Sequence, residues 1–268
     1  MTKTFRLSLG MFTILPVAPR GDFQPTSQQV RGMILFAPVV GLLIGLGAVA
    51  ALFLVQELFS IVELPAADSA GNWLAALLTI GLIVLVTGGI HLDGLADTTD
   101  AMASRRDRAE ALDVMRRSDL GPMGAIALLF VLSIQVTALV ITIEDGLAAV
   151  ALVTAVVTGR VTAVWACRLT AARPEGLGAW VAGSVTTLLA SVVTVSTLLI
   201  PVVMLYLTGN LGWSALSIIC VAMVIAIVLA GLLQQWWSHR FGGITGDTTG
   251  AGIEIATATT LVITALAG

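Results

Sequence analysis

Three aspartates, Asp93, Asp97 and Asp100, stand at positions i, i+4 and i+7 in the run Thr87-Gly-Gly-Ile-His-Leu-Asp-Gly-Leu-Ala-Asp-Thr-Thr-Asp100. On a helix that spacing puts them within about 60° of one face. Like charges so placed repel one another, and at a membrane boundary they take up protons unless a cation neutralises them. Carboxylate oxygens are hard ligands; with no cysteine nearby and His91 the only neighbouring histidine, they favour Mg²⁺ or Mn²⁺ over zinc. A helix dipole attracts acids to a helix start. That accounts for one or two of these residues, but less well for three on one stripe continuing the uncharged run Ser69–Leu92. Gly94 and Ala96 are small enough to admit a second helix or a substrate closely.

A second acidic pair, Asp247 and Glu254, lies seven residues apart in Gly242-Gly-Ile-Thr-Gly-Asp-Thr-Thr-Gly-Ala-Gly-Ile-Glu254, again on one helical face. The glycines before it, Gly243 and Gly246, resemble a cradle of backbone amides for phosphate; flexible turn and close helix packing would give the same pattern. Arg160 interrupts an otherwise apolar stretch, which makes it a candidate counter-charge for phosphate. Arg168, two helical turns on, and Arg31 are weaker candidates, because arginines at span ends also snorkel to headgroups. His91 falls off the aspartate stripe by about 160°, and a structural hydrogen bond is its expected role.

These residues need elements to hold them, and the composition decides the medium. The 268 residues are 57% apolar and 11% charged, against roughly a quarter charged in soluble domains. So few charges cannot cover a water-facing surface, which excludes a soluble enzyme, a disordered scaffold and a nucleic-acid binder. Thirteen basic residues and a net charge of -3 give no basic groove for nucleic acid. Cys167 and Cys220 read as core thiols. The apolar runs 32–56, 69–92, 120–143, 146–167, 181–207 and 213–237 are long enough to cross a bilayer as helices. A short run, 251–267, is a candidate seventh. The expected fold is therefore all-α and polytopic, with six or seven transmembrane helices in one membrane-embedded catalytic domain, 1–268. Residues 7–17 follow Lys3 and Arg6 and read as an interfacial helix rather than a cleaved signal peptide.

Lysine and arginine alternate along the connections. Lys3, Arg6, Arg20 and Arg31 precede the first span, and the connection 57–68 has acids only. Five arginines fall between Arg105 and Arg117, none accompanies Glu144-Asp145, and Arg168 and Arg173 follow the fourth span. A neutral turn around Asn210 precedes the last pair, and Arg240 closes the sixth span. This places the N-terminus, both acidic segments and the active site on the cytoplasmic side.

The chain resembles the cobalamin synthase family, also called adenosylcobinamide-GDP ribazoletransferases. The resemblance rests on Arg31-Gly-Met-Ile and Pro38-Val-Val-Gly-Leu-Leu-Ile-Gly45, on the His-Leu-Asp-Gly-Leu-Ala-Asp run, and on Met115-Arg116, Ser118, Leu120-Gly121 and Gly124. Gly176-Leu-Gly178, Gly243-Ile-Thr-Gly-Asp-Thr-Thr-Gly250 and Ile253-Glu254 complete it. The stretch after Gly178 departs from the family by lacking a polar insertion. The resemblance implies the last assembly step of the coenzyme B12 nucleotide loop in a bacterial or archaeal cytoplasmic membrane, with Mg²⁺ as cofactor. Adenosylcobinamide-GDP and α-ribazole, or its 5′-phosphate, would be the substrates and GMP the leaving product. The bilayer is the expected surrounding, and a homo-oligomer or a complex with other corrinoid enzymes the expected assembly.

On this reading the metal ligands are Asp93, Asp97 and Asp100, with Asp247 and Glu254 as further ligands. Asp100 or Asp247 would accept the hydroxyl proton, Arg160 would counter phosphate charge, and Arg31, Arg168, Gly243 and Gly246 would contact substrate. Two rivals stand beside it: a lipid-directed CDP-alcohol phosphotransferase, whose Asp-Gly-x-x-Ala-Arg core has arginine where this chain has Asp97, and a cation- or proton-coupled transporter.

Overall fold

A computed structural model describes residues 3–17, 24–61, 69–117, 119–209 and 212–266. Arg20, Glu63, Asp68, Ser118 and Asn210 lie outside the described residues. Every regular element described is a helix, and one isolated bridge joins Ala171 to Ile244. Among the described residues six helical segments have the length and apolar character to cross a membrane, so the chain is a multi-pass, all-α protein.

The N-terminal helix α1 (Lys3–Phe12) packs on α2 (Ser27–Leu35) and α3 (Ala37–Ile61) and buries Phe12. Thr26 starts α2 with a capping box: its hydroxyl accepts from the Gln29 amide, and the Gln29 side chain accepts from the Thr26 amide at 2.9 Å. After the span α4 (Ser69–Thr87), Gly88 and Gly89 adopt φ of +65° and +68° and end the helix. Only glycine takes that conformation without penalty. The sequence reading ran this span on to Leu92; the two glycines stop it at Thr87 and release α5 (Ile90–Ala103) as a separate element. A short α6 (Arg108–Val114) follows, then α7 (Pro122–Glu144) and α8 (Ala148–Ala166). Beyond α9 (Leu177–Val181), the fifth span is two helices, α10 (Thr187–Thr197) and α11 (Leu199–Leu207), broken ahead of Pro201. The chain ends in α12 (Trp213–Phe241) and α13 (Gly246–Ala265).

The core is built around α8, which is buried along nearly its whole length and touches α3, α7, α10, α11, α12 and α13. Glycines permit this. A Cβ at Gly45 would lie 2.9 Å from the Val153 Cα, and one at Gly41 would lie 3.0 Å from the Val156 carbonyl oxygen. The pair Gly41 and Gly45 is thus a small-xxx-small contact at which α3 meets α8 backbone to backbone. Gly159 does the same on the opposite face, where a Cβ would stand 2.9 Å from the Ile253 carbonyl oxygen of α13. The candidate seventh span is a full helix, α13, threonine-rich and less apolar than the other six, enclosed by α5, α7, α8 and α12.

Candidate active site

Two helix starts meet at one end of the bundle. A Cβ at Gly94 would fall 2.6 Å from the Asp247 carbonyl oxygen, so α5 crosses the first turn of α13 at van der Waals limit. That crossing sets Asp93 and Asp97 of α5 against Asp247 of α13. The turn before α13 is held from both sides. The Ile244 amide donates to the Thr170 carbonyl at 2.8 Å, and the Ala172 amide donates to the Ile244 carbonyl at 3.0 Å. Thr245 caps α13, its hydroxyl accepting from the Thr248 amide at 3.1 Å.

A cavity of about 340 Å³ opens here, bounded by α1, α5, α8, the 173–181 segment and the start of α13. Asp93, Arg173, Glu175, Gly246 and Asp247 line it, and Phe12, Ile34, His91, Cys167 and Ile253 form its buried inner wall. Asp97 sits beside it, its pKa pushed up to about 7 by burial first and then by the charges of Asp93, Asp247 and Asp100, with Arg173 opposing. Burial likewise raises Asp247, against Arg173 and a hydrogen bond from Thr245. Arg173 is tethered by donating to the Leu112 carbonyl at 2.6 Å. The centre therefore carries more negative than positive charge, all of it on hard oxygen donors, which fits a divalent cation such as Mg²⁺. Among the described residues no three carboxylate, imidazole or thiol side chains converge to metal-binding distance.

The remaining expected site residues go elsewhere. Both carboxylate oxygens of Asp100 accept backbone amides at the start of α7, from Gly121 at 2.8 Å and Gly124 at 2.9 Å, so this acid anchors a helix. Its expected roles as ligand and proton acceptor compete with those two bonds. Glu254 accepts from the Gln135 side chain at 2.8 Å. It lies with Arg160 on a different, internal cavity of about 10 Å³, room for about one water. Arg160 is 2% exposed and donates to the Val156 carbonyl at 3.4 Å. Neither residue lines the cavity that holds Asp93 and Asp247. Arg168 lies over the Trp165 ring, 4.7 Å from its centroid, and Arg31 donates to the Ser184 carbonyl at 3.0 Å in a separate surface groove. Gly243, at φ +148°, packs on the backbone of Ala171 and Ala172, whereas Gly246 lines the cavity, where a Cβ would be in ordinary contact with the Leu177 side chain. Of the two glycines, one serves packing and one faces the site.

Among the cavity residues given no site role by the sequence reading are Arg173, Phe12 and His91. Arg173 was legible only as a topology signal; its closeness to Gly176-Leu-Gly178 was the available hint. Phe12 belongs to a helix read as interfacial. His91 was expected to make a structural hydrogen bond, but its Nδ1 is buried with no partner among the described residues. Burial, and after it the charge of Arg160, lowers the proton affinity of its ring.

The family model described as cobalamin-5-phosphate synthase matches residues 4–265. A protein of Frankia casuarinae named adenosylcobinamide-GDP ribazoletransferase is 36% identical over 261 residues, 95% of this chain and 92% of its own length. One of the same name from Escherichia coli is 37% identical over 263 residues, 95% of this chain and 96% of its own length. No solved structure matches the chain. A match that spans both acidic segments and every element around the cavity leaves one assignment: this chain belongs to the cobalamin-5-phosphate synthase family.

Proposed function

We propose that the chain joins adenosylcobinamide-GDP to α-ribazole or its 5′-phosphate, completing the nucleotide loop of cobalamin, with the chemistry at the Asp93–Asp97–Asp247 centre. The observation that carries this reading is the family match over residues 4–265, and it makes the chain a transferase of cobalamin assembly. The ribose hydroxyl of the acceptor attacks the cobinamide-linked phosphorus. A new ribose O–P bond forms, the pyrophosphate P–O bond breaks, and GMP leaves with that electron pair. Asp93, Asp97 and Asp247 supply the negative charge that would attract a Mg²⁺, and the ion would neutralise charge on the transferred phosphoryl and on GMP. Asp247 lines the cavity, whereas both Asp100 oxygens accept backbone amides, so we assign Asp247 the hydroxyl proton in preference to Asp100. Arg173, held at Leu112 beside the cavity, takes the phosphate-facing role first given to Arg160. The site faces the cytoplasm, where both nucleotide substrates are soluble. Asp97 in the position of the CDP-alcohol arginine disfavours a lipid substrate.

The test uses purified full-length protein in detergent, supplied with adenosylcobinamide-GDP and α-ribazole 5′-phosphate with and without Mg²⁺. Release of GMP together with a cobalamin product, only when Mg²⁺ is present, is the expected result. Turnover unaffected by chelation would remove the metal, and well-folded protein that makes no product while a relative does would remove the substrate assignment.

A further inference from the structure

A residue of the cavity's inner wall, His91, has a buried polar atom with no hydrogen-bond partner among the described residues. The atom is Nδ1, and the residue is 4% exposed. Buried polar atoms are almost always satisfied, so an unpartnered one on a residue that lines a cavity marks a place for a ligand to be read. The His91 ring stacks on Phe12, with centroids 5.9 Å apart and planes at 28°, and both residues line the same cavity. Ile34 and Ile253 continue the apolar wall, while Asp93, Glu175 and Asp247 stand toward the open side. The cavity is thus apolar and aromatic at depth and acidic at its mouth.

Size and polarity choose between the two substrates of the reaction proposed above, on which this inference rests. About 340 Å³ is near the lower end for small-molecule sites. It accommodates a nucleoside but not a corrin macrocycle bearing an adenosyl group and a guanosine diphosphate. The acceptor is a riboside of a flat, largely apolar benzimidazole, whose one unsubstituted ring nitrogen is a hydrogen-bond acceptor. We propose that this cavity is the acceptor subsite, in which the aryl base lies against the Phe12–His91 wall and the Nδ1–H of His91 donates to its free ring nitrogen. The ribose then points outward to Asp247 and Asp93, and the corrinoid donor approaches from the open side. His91 and Phe12 are specificity-determining residues that read the base.

The experiment pairs variants with a substrate analogue. His91→Phe keeps an aromatic ring and removes Nδ1, His91→Asn returns a donor near the same place, and Phe12→Leu removes the aromatic face. Indole riboside is the acceptor with its free ring nitrogen replaced by CH. Loss of one hydrogen bond corresponds to about tenfold in affinity. In His91→Phe the KM for α-ribazole should rise about tenfold while the KM for adenosylcobinamide-GDP stays unchanged, and His91→Asn should recover most of the loss. Calorimetry should show the wild-type protein binding indole riboside about tenfold more weakly than α-ribazole, with His91→Phe binding the two alike. A raised KM for the corrinoid donor, or an unchanged one for α-ribazole, overturns the inference. Should a His91 variant fail to fold, Phe12→Leu and the analogue on wild-type protein decide alone. Binding of α-ribazole is read without turnover, so a chain that binds it with the indole discrimination but releases no GMP retains the subsite and loses the reaction. A chain that binds no α-ribazole loses the subsite.

Discussion

Charge at single positions separates the acids gathered at the candidate centre from an acid that holds the frame. Asp93 and Asp97 point toward the centre where negative charge accumulates, whereas Asp100 spends both oxygens on the amides of Gly121 and Gly124. The two kinds of acid should fail differently. Asp93→Asn or Asp97→Asn should cut turnover by at least about a hundredfold, on the scale of lost electrostatic stabilisation at a reaction centre, with thermal stability in detergent nearly unchanged. Asp100→Asn keeps one acceptor and loses a charge-assisted bond, a cost of about 1.5–3 kcal/mol, so its midpoint should drop by several degrees while measurable turnover persists. Melting curves and initial rates on the three proteins check this; an Asp100→Asn enzyme as stable as wild type and wholly inactive would return Asp100 to the chemistry. The stripe of three aspartates was legible from spacing alone. That its third member caps a neighbouring helix was not, because the partner amides lie 21 and 24 residues further along the chain.

Helix boundaries and crossings set where those acids sit. The apolar runs located all six spans, since length and hydropathy are local properties. The break at Gly88-Gly89 and the split of the fifth span depend on backbone dihedrals that apolar content does not report. The α5–α13 crossing depends on Gly94, whose Cβ would meet the Asp247 backbone, and the sequence reading had already allowed for a close approach there. Gly94→Ala should therefore push α13 from α5, displace Asp247 from the aspartates and lower turnover more than about tenfold, as ångström-scale misplacement in an active site does. Gly47→Ala in α3 is the control, because its Cβ would meet nothing within 4 Å and alanine is the better helix former by about 1 kcal/mol. Rates and melting midpoints of both variants, compared with wild type, test the crossing; equal activity in Gly94→Ala would show that α5 and α13 have slack.

At the scale of the whole molecule, the connections that carry arginine come together. Arg108 donates to the Ala172 carbonyl at 3.2 Å, Arg173 donates to the Leu112 carbonyl at 2.6 Å, and Ala171 pairs with Ile244 in the one bridge. The segments after α5, after α8 and after α12 thus occupy one end of the bundle, as an alternating count of arginines requires. The Glu144-Asp145 turn joins the far ends of α7 and α8. Which connections are basic was readable from the sequence; that they also touch, and build a cavity by touching, required the fold. Retention of basic connections on the cytoplasmic side predicts a site facing the cytoplasm, and labelling tests it. The native Cys167 is buried and Cys220 sits half-buried in α12, so replacing Cys220 with serine leaves a quiet background. In spheroplasts, a membrane-impermeant maleimide should label Asp145→Cys from outside and leave Arg105→Cys unlabelled until the cells are lysed. Both positions are exposed, so access alone decides the outcome. Labelling of Arg105→Cys in intact spheroplasts would invert the molecule, place the aspartates outside the cytoplasm and separate the site from the pool of nucleotide substrates it needs.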